Sequence, residues 1–432
     1  MDAFVIEGGR PLRGSVEVRG AKNAALPMMA AALLLDEGKL VLRRVPHLAD
    51  IKSMILVLQQ LGLRIEHRGD VMTMEVVSEK NCRASYELVS KMRASVCVLG
   101  PLVGKRRYAE VSMPGGCAIG DRPIDLHLKG LAALGAAVNV ERGYVVASAR
   151  KLQGGSMYLG GPFGSTVTGT ENVLMAAVLA PGTTIIECAA CEPEVQECAR
   201  LLNKMGANIH GIGSPRLTVH GVKKLHGCVW DVMPDRIEAG TFMAAAAMTG
   251  GDVVIERCEP DHLMCVIECM RQAGAHITTG KDWIRVIGNG LFRPVNLATL
   301  PYPGFPTDMQ SQFMAMMTRS DGISILTERI YPERFGHVPE LGRMGAQIRR
   351  EGPSAIVIGV KDLSGAPVMA SDLRAAAGLL VAALAARGET MIQRIYHLDR
   401  GYDRVEDRLE TLGARIKRVD LKPGEGQMRE VA

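Results

Sequence analysis

The chain reads Leu134-Gly135-Ala136 where a predicted helix passes into a predicted strand, and closely similar passages occur six times in its 432 residues. The six copies are Leu61-Gly62-Leu63, Leu134-Gly135-Ala136, Met205-Gly206-Ala207, Ala273-Gly274-Ala275, Met344-Gly345-Ala346 and Leu412-Gly413-Ala414. Their glycines lie 68 to 73 residues apart. A second series keeps the same spacing, in which a polar or charged start leads into a short helix rich in Ala, Leu and Met. Its members begin near Lys22-Asn23, Met92-Arg93, Thr170-Glu171, Ile237-Glu238, Thr307-Asp308 and Asp372-Leu373-Arg374. Self-similarity at a fixed period indicates one supersecondary unit used six times.

Several of these helices are apolar on nearly every face, which predicts that each is buried inside its own domain. They are 24–35, 172–179, 241–248 and 375–386. All are too short to cross a bilayer, which needs about 20 residues. Strands such as 253–256 and 355–358 carry β-branched residues. Buried helices surrounded by sheet predict an inside-out α/β fold with sheets facing solvent. A six-unit solenoid is the alternative, although solenoid repeats usually run about 20 to 50 residues.

The chain length favours two domains with three repeats each. The predicted first domain spans 22–232, and the second combines 1–21 with 233–420. Residues 421–432 are predicted to form a tail. The strand Phe4-Val5-Ile6 precedes the first helix start, and we predict that it pairs with the C-terminal half of the chain.

The composition excludes several classes of protein. A net charge of +5 with 4% aromatic residues argues against a nucleic-acid surface, since few rings are available to stack on bases. Residues 105–107 (Lys-Arg-Arg) are interpreted as a solvated hairpin turn. The start of the chain shows no basic stretch followed by an apolar core, which predicts a cytosolic protein. Cys188 and Cys191 have C-x-x-C spacing but no second pair follows, so we expect free thiols and no metal. Cys265 and Cys269 are interpreted as helix packing.

Cys117 differs from the other nine cysteines because it lies in a segment rich in glycine and proline, 114–123. Such a segment predicts a loop, the usual place for a lid over a site. A thiol there beside Arg122 can be reactive, and an exposed but idle cysteine is the alternative.

The helix starts are the second candidate site, because free backbone N–H groups at a helix N-terminus attract anions. Lys22, Arg93, Arg374 and Arg400 would add full positive charges. Asp308 lies at a helix start of the same kind, where it is either a helix cap or a carboxylate able to accept a proton from a hydroxyl. A modest positive balance therefore fits a small anionic ligand.

Seven motifs spread along the chain carry a resemblance to a known family. They are 20–27, 114–120 with 122–127, 234–238, 305–310, 337–341, 372–375 and 395–402. In this order they resemble the UDP-N-acetylglucosamine 1-carboxyvinyltransferases, and the resemblance runs from about residue 2 to residue 419. It implies two inside-out α/β barrel domains, each of three repeated βαβαββ-like units. It also implies transfer of the enolpyruvyl group of phosphoenolpyruvate to the 3′-hydroxyl of UDP-N-acetylglucosamine, with release of phosphate, as the first committed step of peptidoglycan synthesis.

The resemblance also assigns roles to particular residues. Cys117 would donate a proton to the methylene carbon and could form a covalent phosphoenolpyruvate adduct, while Asp308 would be the base. The residues implied to hold phosphoenolpyruvate are Lys22, Asn23, Arg122, Arg374 and Arg400, of which Lys22 and Arg400 also count as catalytic. The residues implied to contact the nucleotide sugar are Asn23, Arg93, Arg122, Pro123, Ile124, Asp125, Leu126, Thr166, Asp308 and, through its backbone, Ile330. No cofactor, metal or obligate protein partner is implied.

Two segments depart from the commonest family pattern. Thr166-Val167-Thr168-Gly169-Thr170 stands where many members have Ser-Val-Gly-Ala-Thr, so Thr168 adds bulk where glycine lets a backbone approach. Pro332-Glu333 precedes Arg334 where an acidic residue and Asn are more usual.

Three other functions are weighed against this one. A 5-enolpyruvylshikimate 3-phosphate synthase would share the fold but would not use a loop cysteine. A non-catalytic UDP-sugar-binding paralogue would lack one of Lys22, Cys117, Asp308 or Arg400, and all four are present. A scaffold for a protein partner would need an exposed apolar face.

Overall fold

The computed structural model describes residues 2–90, 92–113 and 123–421. The strands are β1 Asp2–Glu7, β2 Arg13–Glu17, β3 Leu35–Glu37, β4 Leu40–Arg43, β5 Leu63–Arg68, β6 Val71–Val76, β7 Arg83–Ala84, β8 Tyr108–Ser112, β9 Ala137–Glu141, β10 Tyr144–Ser148, β11 Ser156–Tyr158, β12 Gly160–Gly161, β13 Gly164–Ser165, β14 Thr183–Glu187, β15 Asn208–His210, β16 Arg216–His220, β17 Leu225–His226, β18 Val229–Asp231, β19 Asp252–Glu256, β20 His276–Thr279, β21 Trp283–Ile287, β22 Leu297–Ala298, β23 Ile323–Thr327, β24 Gln347–Glu351, β25 Ser354–Ile358, β26 Pro367–Met369, β27 Glu389–Gln393 and β28 Arg415–Asp420.

The helices alternate with these strands. They are α1 Lys22–Ala31, α2 Ala49–Gln60, α3 Tyr86–Val89, α4 Leu99–Arg106, α5 Asp125–Ala133, α6 Val167–Ala177, α7 Pro193–Lys204, α8 Arg236–Met248, α9 Met264–Gln272, α10 Gln310–Met317, α11 Val338–Arg343, α12 Leu373–Ala385 and α13 Val405–Thr411. Five 3₁₀ turns are described: Ala32–Leu34, Arg93–Val98, Pro260–Leu263, Thr307–Met309 and Ile395–Arg400.

The described residues fall into two compact units. The N-terminal unit contains 19–113 and 123–234, and the C-terminal unit contains 2–18 and 235–421. The sequence places these boundaries at 22 and 232, a few residues away in each case. Each unit has its own hydrophobic core.

Each unit contains three four-stranded sheets with one shared pattern, and the N-terminal unit also contains the two-stranded sheets β12-β13 and β17-β3. In every one of the four-stranded sheets an outer strand runs parallel to its neighbour, and the remaining pairs are antiparallel. The strand orders are β18-β4-β6-β5, β7-β8-β10-β9 and β11-β14-β16-β15 in the N-terminal unit, and β2-β19-β21-β20, β22-β23-β25-β24 and β26-β27-β1-β28 in the C-terminal unit. The six four-stranded sheets correspond to the six repeats predicted from the sequence.

Strand β1 lies in the middle of the last sheet, between β27 and β28. Phe4 is paired with Ile392 on one side and Arg418 on the other. The prediction that this strand pairs with the C-terminal half of the chain is therefore confirmed. In the first sheet, β18 likewise returns from the end of the N-terminal unit to pair with β4.

The helices that begin at the predicted starts are buried. In α8 all thirteen residues are buried, and in α12 every residue from Arg374 to Ala385 is. The sheets around them alternate between buried and more exposed positions, as in β25. This arrangement is the predicted inside-out α/β fold.

The four helices predicted at 24–35, 172–179, 241–248 and 375–386 are found as α1, α6, α8 and α12, and their boundaries differ from the prediction by up to five residues. The first helix ends at Ala31 and continues as the 3₁₀ turn Ala32–Leu34, since β3 already begins at Leu35. Helix α6 begins at Val167, because Thr166 caps it by accepting a hydrogen bond from the Gly169 N–H at 3.2 Å. Helix α8 begins at Arg236, because Asp235 caps it by accepting from the Ile237 and Glu238 N–H groups.

The glycine of all six repeated passages has a positive φ, between +91° and +104°. The Gly345 N–H donates to the Gly342 carbonyl and the Ala346 N–H to the Leu341 carbonyl, which ends helix α11. This is the left-handed helix terminus that glycine favours, because a Cβ is strained at such a φ. The repeated glycine is thus the residue that turns each outer helix into its strand.

Alanine at Gly345 is expected to destabilise the protein by about 1–2 kcal/mol, through the left-handed backbone alone. No crowding contributes, because a Cβ there would meet its nearest atom, Ser364 Oγ, at 3.8 Å. Gly342, three residues earlier inside α11, has open space around its Cβ position and no positive φ. Alanine at Gly342 should therefore stabilise by about 0.5–1 kcal/mol. Thermal midpoints of the two variants measure this difference, and shifts in the same direction would contradict it.

The basic run 105–107 is not a hairpin turn, so that interpretation is wrong. Lys105 and Arg106 form the last turn of α4, and Arg107 ends the helix with φ +60°. Arg106 donates to the carbonyls of Leu61 and Asn81 at 2.8 and 2.6 Å. Arg106 therefore stabilises the loops that contain Leu61 and Asn81. The basic residues lie at a helix C-terminus, where positive charge is favourable.

Candidate functional site

In the C-terminal unit, Asp308 is held by two arginines from distant parts of the chain. Its Oδ1 accepts from Arg334 Nη1 at 2.8 Å and its Oδ2 from Arg374 Nη2 at 2.8 Å. The Asp308 side chain is 25% exposed, whereas the two arginine side chains are 8% and 5% exposed. Asp308 lies in the 3₁₀ turn before α10 and does not cap that turn. Of the two readings of Asp308, the capping one is therefore wrong.

The charges around Asp308 decide its protonation. Burial alone would raise the pKa of this carboxyl, but the guanidinium groups of Arg374 and Arg334 outweigh burial and hold the pKa well below its usual range. Asp308 is thus ionised at neutral pH. A carboxylate paired in this way is a weak proton acceptor for as long as both arginines remain on it.

Arg374 is oriented by a second set of hydrogen bonds. Its Nη1 donates to the Tyr402 hydroxyl at 3.3 Å, and that hydroxyl is 2.8 Å from Thr241 Oγ1. The Ser311 hydroxyl donates to the Arg374 carbonyl at 2.5 Å. The guanidinium is thus held by Tyr402, whose hydroxyl also contacts Thr241 of α8, and the Arg374 backbone is held by Ser311 of α10.

In the N-terminal unit, Lys22 is the first residue of α1 and is 8% exposed. Its ammonium donates to Asp50 Oδ2 at 3.0 Å, and Asp50 is 4% exposed. Asn23, the next residue, is exposed. The ammonium therefore lies at a helix start with one carboxylate beside it and an exposed amide next to it.

A second polar group in this unit is centred on His127. The Asn172 amide nitrogen lies 2.9 Å from His127 Nδ1 and also donates to the Val96 carbonyl at 2.9 Å. Thr168 Oγ1 lies 3.2 Å from His127 Nε2. An amide N–H can only donate, so Nδ1 accepts and the imidazole is neutral with its proton on Nε2, facing Thr168. Thr168, which departs from the family pattern, is therefore the acceptor for that proton.

Burial and the charge of Arg93 lower the pKa of His127 to about 3. Between pH 6.5 and 3 the unfolded chain binds a proton that the folded chain does not. The free energy of unfolding therefore decreases as the pH is lowered through this range, by about 1.4 kcal/mol per pH unit.

Replacing His127 by glutamine is expected to remove this acid sensitivity. The thermal midpoint of His127→Gln should fall less between pH 7 and pH 5 than that of the wild type, which loses about 2 kcal/mol through this residue. His210→Gln, on an exposed strand position, is the matched control and should follow the wild type. Parallel curves for His127→Gln and wild type would contradict the assignment.

The structure distributes the predicted site residues over both units. Lys22, Asn23, Arg93, Pro123 to Leu126 and Thr166 belong to the N-terminal unit, and Asp308, Ile330, Arg374 and Arg400 belong to the C-terminal unit. Of these, the structure directly joins Asp308 and Arg374. Cys117 and Arg122 lie outside the described residues.

The remaining predicted residues have the following places. Pro123 and Asp125 are exposed, Ile124 is buried, and Leu126, Arg93 and Arg400 are half-buried. The Ile330 N–H donates to Glu328 Oε1 at 2.9 Å. A backbone contact from Ile330 to a ligand would therefore use its carbonyl.

Sequence reasoning missed Arg334, Asp50 and Glu328 as parts of the site. Arg334 follows the segment that departs from the family pattern, and it is 26 residues from the carboxylate that it binds. Asp50 is 28 residues from Lys22. No local spacing pattern connects residues so far apart in the sequence. Their contacts become visible only when the fold shows which loops and helices lie side by side.

Among the described residues, no group of three or more His, Cys, Asp or Glu side chains is arranged to hold a metal ion. The nine cysteines that the structure describes are free thiols. Within the same residues, no helix is both long and apolar enough to span a membrane.

Comparison with known proteins identifies the class first. A family profile described as EPSP synthase (3-phosphoshikimate 1-carboxyvinyltransferase) matches residues 6–409. The solved enolpyruvyl transferase NikO from Streptomyces tendae is 23% identical, covers 96% of this chain and 98% of its own, and superposes with a TM-score of 0.87. EPSP synthase from Acinetobacter baumannii is 19% identical, with coverages of 97% and 100% and a TM-score of 0.73. The fold is thus that of the enolpyruvyl transferases.

Curated relatives identify the family within this class. The relative from Desulfosudis oleivorans is 54% identical and covers 97% of this chain and 100% of its own length. Those from Myxococcus xanthus and Methylacidiphilum infernorum are 52% and 49% identical, with coverages of 97% and 99%, and of 98% and 100%. All three are named UDP-N-acetylglucosamine 1-carboxyvinyltransferase, and this chain belongs to their family.

Proposed function

We propose that the protein transfers the enolpyruvyl group of phosphoenolpyruvate to the 3′-hydroxyl of UDP-N-acetylglucosamine and releases phosphate, the first committed step of peptidoglycan synthesis. The observation that carries the proposal is the Asp308 carboxylate fixed between Arg334 and Arg374 in a chain about half identical to enzymes of that name. The carboxylate can accept the proton of a hydroxyl nucleophile, and the two guanidinium groups beside it can bind an anionic substrate.

The reaction needs an acid and a base. A proton added to the methylene carbon of phosphoenolpyruvate makes the adjacent carbon electrophilic, and the sugar oxygen bonds to that carbon as its own proton leaves. The carbon–oxygen bond to phosphate then breaks, and loss of a methyl proton restores the double bond. Phosphate carries the bridging oxygen away, so no phosphoryl group passes to the sugar. In the proposal Cys117 supplies the first proton, or forms a covalent adduct, and Asp308 takes the proton of the hydroxyl.

The pairing of Asp308 indicates how binding could activate it. An incoming phosphate or carboxylate would compete with Asp308 for Arg374, because guanidinium binds such anions through paired hydrogen bonds. Withdrawal of one guanidinium raises the pKa of Asp308 toward its ordinary value, since the charge that lowers it has moved. The base would then become competent only when the anionic substrate is present.

The other predicted residues keep their roles as parts of the proposal. Lys22, Asn23, Arg122, Arg374 and Arg400 would hold phosphoenolpyruvate, with Asp50 orienting the Lys22 ammonium. The nucleotide sugar would contact Asn23, Arg93, Pro123 to Leu126 with Arg122, Thr166, Asp308 and the Ile330 carbonyl. Thr166 can serve because its hydroxyl accepts from Gly169 and keeps its own proton to donate.

Phosphate release with defined acceptors tests the function. The protein with phosphoenolpyruvate and UDP-N-acetylglucosamine should release phosphate and yield a nucleotide sugar heavier by one enolpyruvyl group, measured by mass spectrometry. Shikimate 3-phosphate is the acceptor control for the sister reaction. Release with that acceptor alone, or no release with either, would overturn the proposal.

Thiol alkylation tests the assignment of Cys117, which is expected to be modified before the other nine cysteines as activity is lost. Cys97, Cys198 and Cys258 are buried, and burial raises the pKa of each thiol. Cys265 is the competitor, because a hydrogen bond from Cys269 lowers its pKa to about 7. Peptide mass mapping of wild type and Cys265→Ser separates the two. Inactivation that follows Cys265 modification would refute the assignment.

The proposal includes the setting of the reaction. The substrates are small anions, the chemistry written above needs no cofactor or metal, and the site of action is the cytoplasm. Activity that required an added metal would contradict the use of protein charges alone.

A further inference from the structure

We infer that Glu328 is a positioning residue that fixes the turn carrying Asp308 and the loop carrying Ile330 relative to each other. The inference rests on the proposed function, in which both of those residues contact the nucleotide sugar. Glu328 itself would touch no substrate, because it is fully buried.

Four hydrogen bonds converge on the Glu328 carboxylate. Oε1 accepts from Thr299 Oγ1 at 2.6 Å and from the N–H groups of Ile330 and Tyr331 at 2.9 and 3.0 Å. Oε2 accepts from Thr307 Oγ1 at 2.9 Å. Two backbone N–H groups and two hydroxyls therefore converge on one carboxyl group. One oxygen therefore shapes the loop 328–331, and the other reaches the turn that contains Asp308.

The link continues from Thr307 to the charged pair. Arg334 Nη1 donates both to Thr307 Oγ1 at 2.9 Å and to Asp308 Oδ1 at 2.8 Å. A guanidinium N–H can only donate, so the Thr307 hydroxyl accepts from Arg334 and donates its own proton to Glu328. Glu328 therefore orients Thr307, and Thr307 helps to place the guanidinium that binds Asp308.

The backbone at Glu328 follows one of two patterns seen among the repeats. In four repeats one residue with a left-handed φ follows the second strand: Arg44, Cys188, Arg257 and Arg394. In three of these repeats the next residue donates its N–H to the hairpin turn, as Val45 does to Asp70. Glu328 instead directly follows β23 and donates its own N–H to the Pro353 carbonyl at 2.7 Å, as Met113 after β8 does to the Gly143 carbonyl at 2.8 Å. In the repeat that contains Asp308, this position carries a buried carboxylate.

Three variants test the two branches of this link. Glu328→Gln keeps the shape but replaces one carboxylate oxygen by an N–H donor, so the side chain can no longer accept from both the Thr307 hydroxyl and the loop N–H groups. It should lower kcat about 10-fold to 100-fold, the range expected for misplaced reacting groups, and weaken binding of UDP-N-acetylglucosamine. Thr307→Val cuts the Asp308 branch alone. It should lower kcat about 10-fold and leave calorimetric binding of the nucleotide sugar unchanged.

The double variant shows whether the residues act through one link. The kcat of the double variant Glu328→Gln with Thr307→Val should lie within about threefold of the kcat of Glu328→Gln alone, because both substitutions break the same connection. Thr307→Ser, which keeps the hydroxyl, should recover most of the activity. Thr390→Val is the matched control: Thr390 is buried in the same unit, and its hydroxyl has no hydrogen-bond partner among the described residues.

The outcomes separate this inference from the proposed function. If the wild type converts the substrates and the kcat of Glu328→Gln lies within twofold of the wild-type value, only the positioning role is overturned. Additive effects in the double variant, or an equal loss in Thr390→Val, would overturn it as well. Should Glu328→Gln fail to fold, the contrast of Thr307→Val with Thr307→Ser decides. Wild type that neither binds nor converts the substrates would overturn the proposed function, and the positioning role with it.

Discussion

Replacing Asp308 by alanine is expected to lower kcat by about 10²-fold to 10⁴-fold, the usual contribution of a positioned acid or base. The reason is that the variant has no carboxylate to take the proton of the attacking hydroxyl. Asp308→Asn should lose about as much, because an amide keeps the shape but cannot accept the proton. Steady-state phosphate release with both substrates varied measures the effect, which should appear mainly in kcat.

A surface pair in the same unit supplies the control. Asp252 binds Arg285 through two hydrogen bonds of 2.8 and 2.7 Å, as Asp308 binds its arginines, but both side chains are exposed. Asp252→Ala should leave kcat and KM unchanged. Turnover of Asp308→Asn within tenfold of wild type would show that another group takes the proton.

Replacing Arg374 by glutamine is expected to affect both stability and activity. Breaking a buried ion pair from one side costs about 3–5 kcal/mol. Asp308 keeps Arg334 and is partly exposed, so we expect about 2–3 kcal/mol here. At about 2–4 °C per kcal/mol, the thermal midpoint should drop by about 4–12 °C. Turnover should fall by about 10²-fold or more, if Arg374 also holds the substrate anion as proposed.

The pH dependence of this loss has a defined sign. Arg374 lowers the pKa of Asp308, so the stability it confers is present above the ordinary aspartate pKa of 3.8 and is lost as the pH falls below that value. The difference in midpoint between wild type and Arg374→Gln should therefore be full at pH 7 and narrow below about pH 4. Arg374→Lys, which keeps the charge, should recover part of the stability and little of the activity, since lysine cannot bind two groups in a fork. A constant difference across pH would contradict the pairing.

The repeat architecture could be predicted because its determinants are local. A glycine at a left-handed helix end and an apolar helix after a polar start are each visible within a few residues, as at Gly345 and at Lys22. The helix boundaries were less accurate, since a 3₁₀ turn at Ala32–Leu34 and a cap at Thr166 depend on hydrogen bonds that residue type alone does not specify.

The candidate site could be predicted only in part. Asp308 and Arg374 were named through motifs, but their contact and the role of Arg334 depend on which loops the fold brings together. Glu328 directly follows strand β23, and no motif in its neighbourhood marks it as part of the site. The role of its carboxylate depends on its hydrogen bonds with Thr299, Thr307 and the loop N–H groups, which only the fold shows. Cys117 and Arg122 remain predictions of the sequence.

The place of β1 has a consequence for how the chain is made on the ribosome. Residues 2–7 are synthesised before the other described strands, and the strands on both sides of them, β27 and β28, follow about 390 and 410 residues later. At a typical rate of about 5–20 residues per second, β1 waits roughly 20 to 80 seconds without its neighbours. The N-terminal unit, whose strands all lie within 19–234, can form during that interval. Nascent chains stalled shortly before β27 should therefore resist proteolysis in the helices and strands of the N-terminal unit while residues 2–7 are still cleaved.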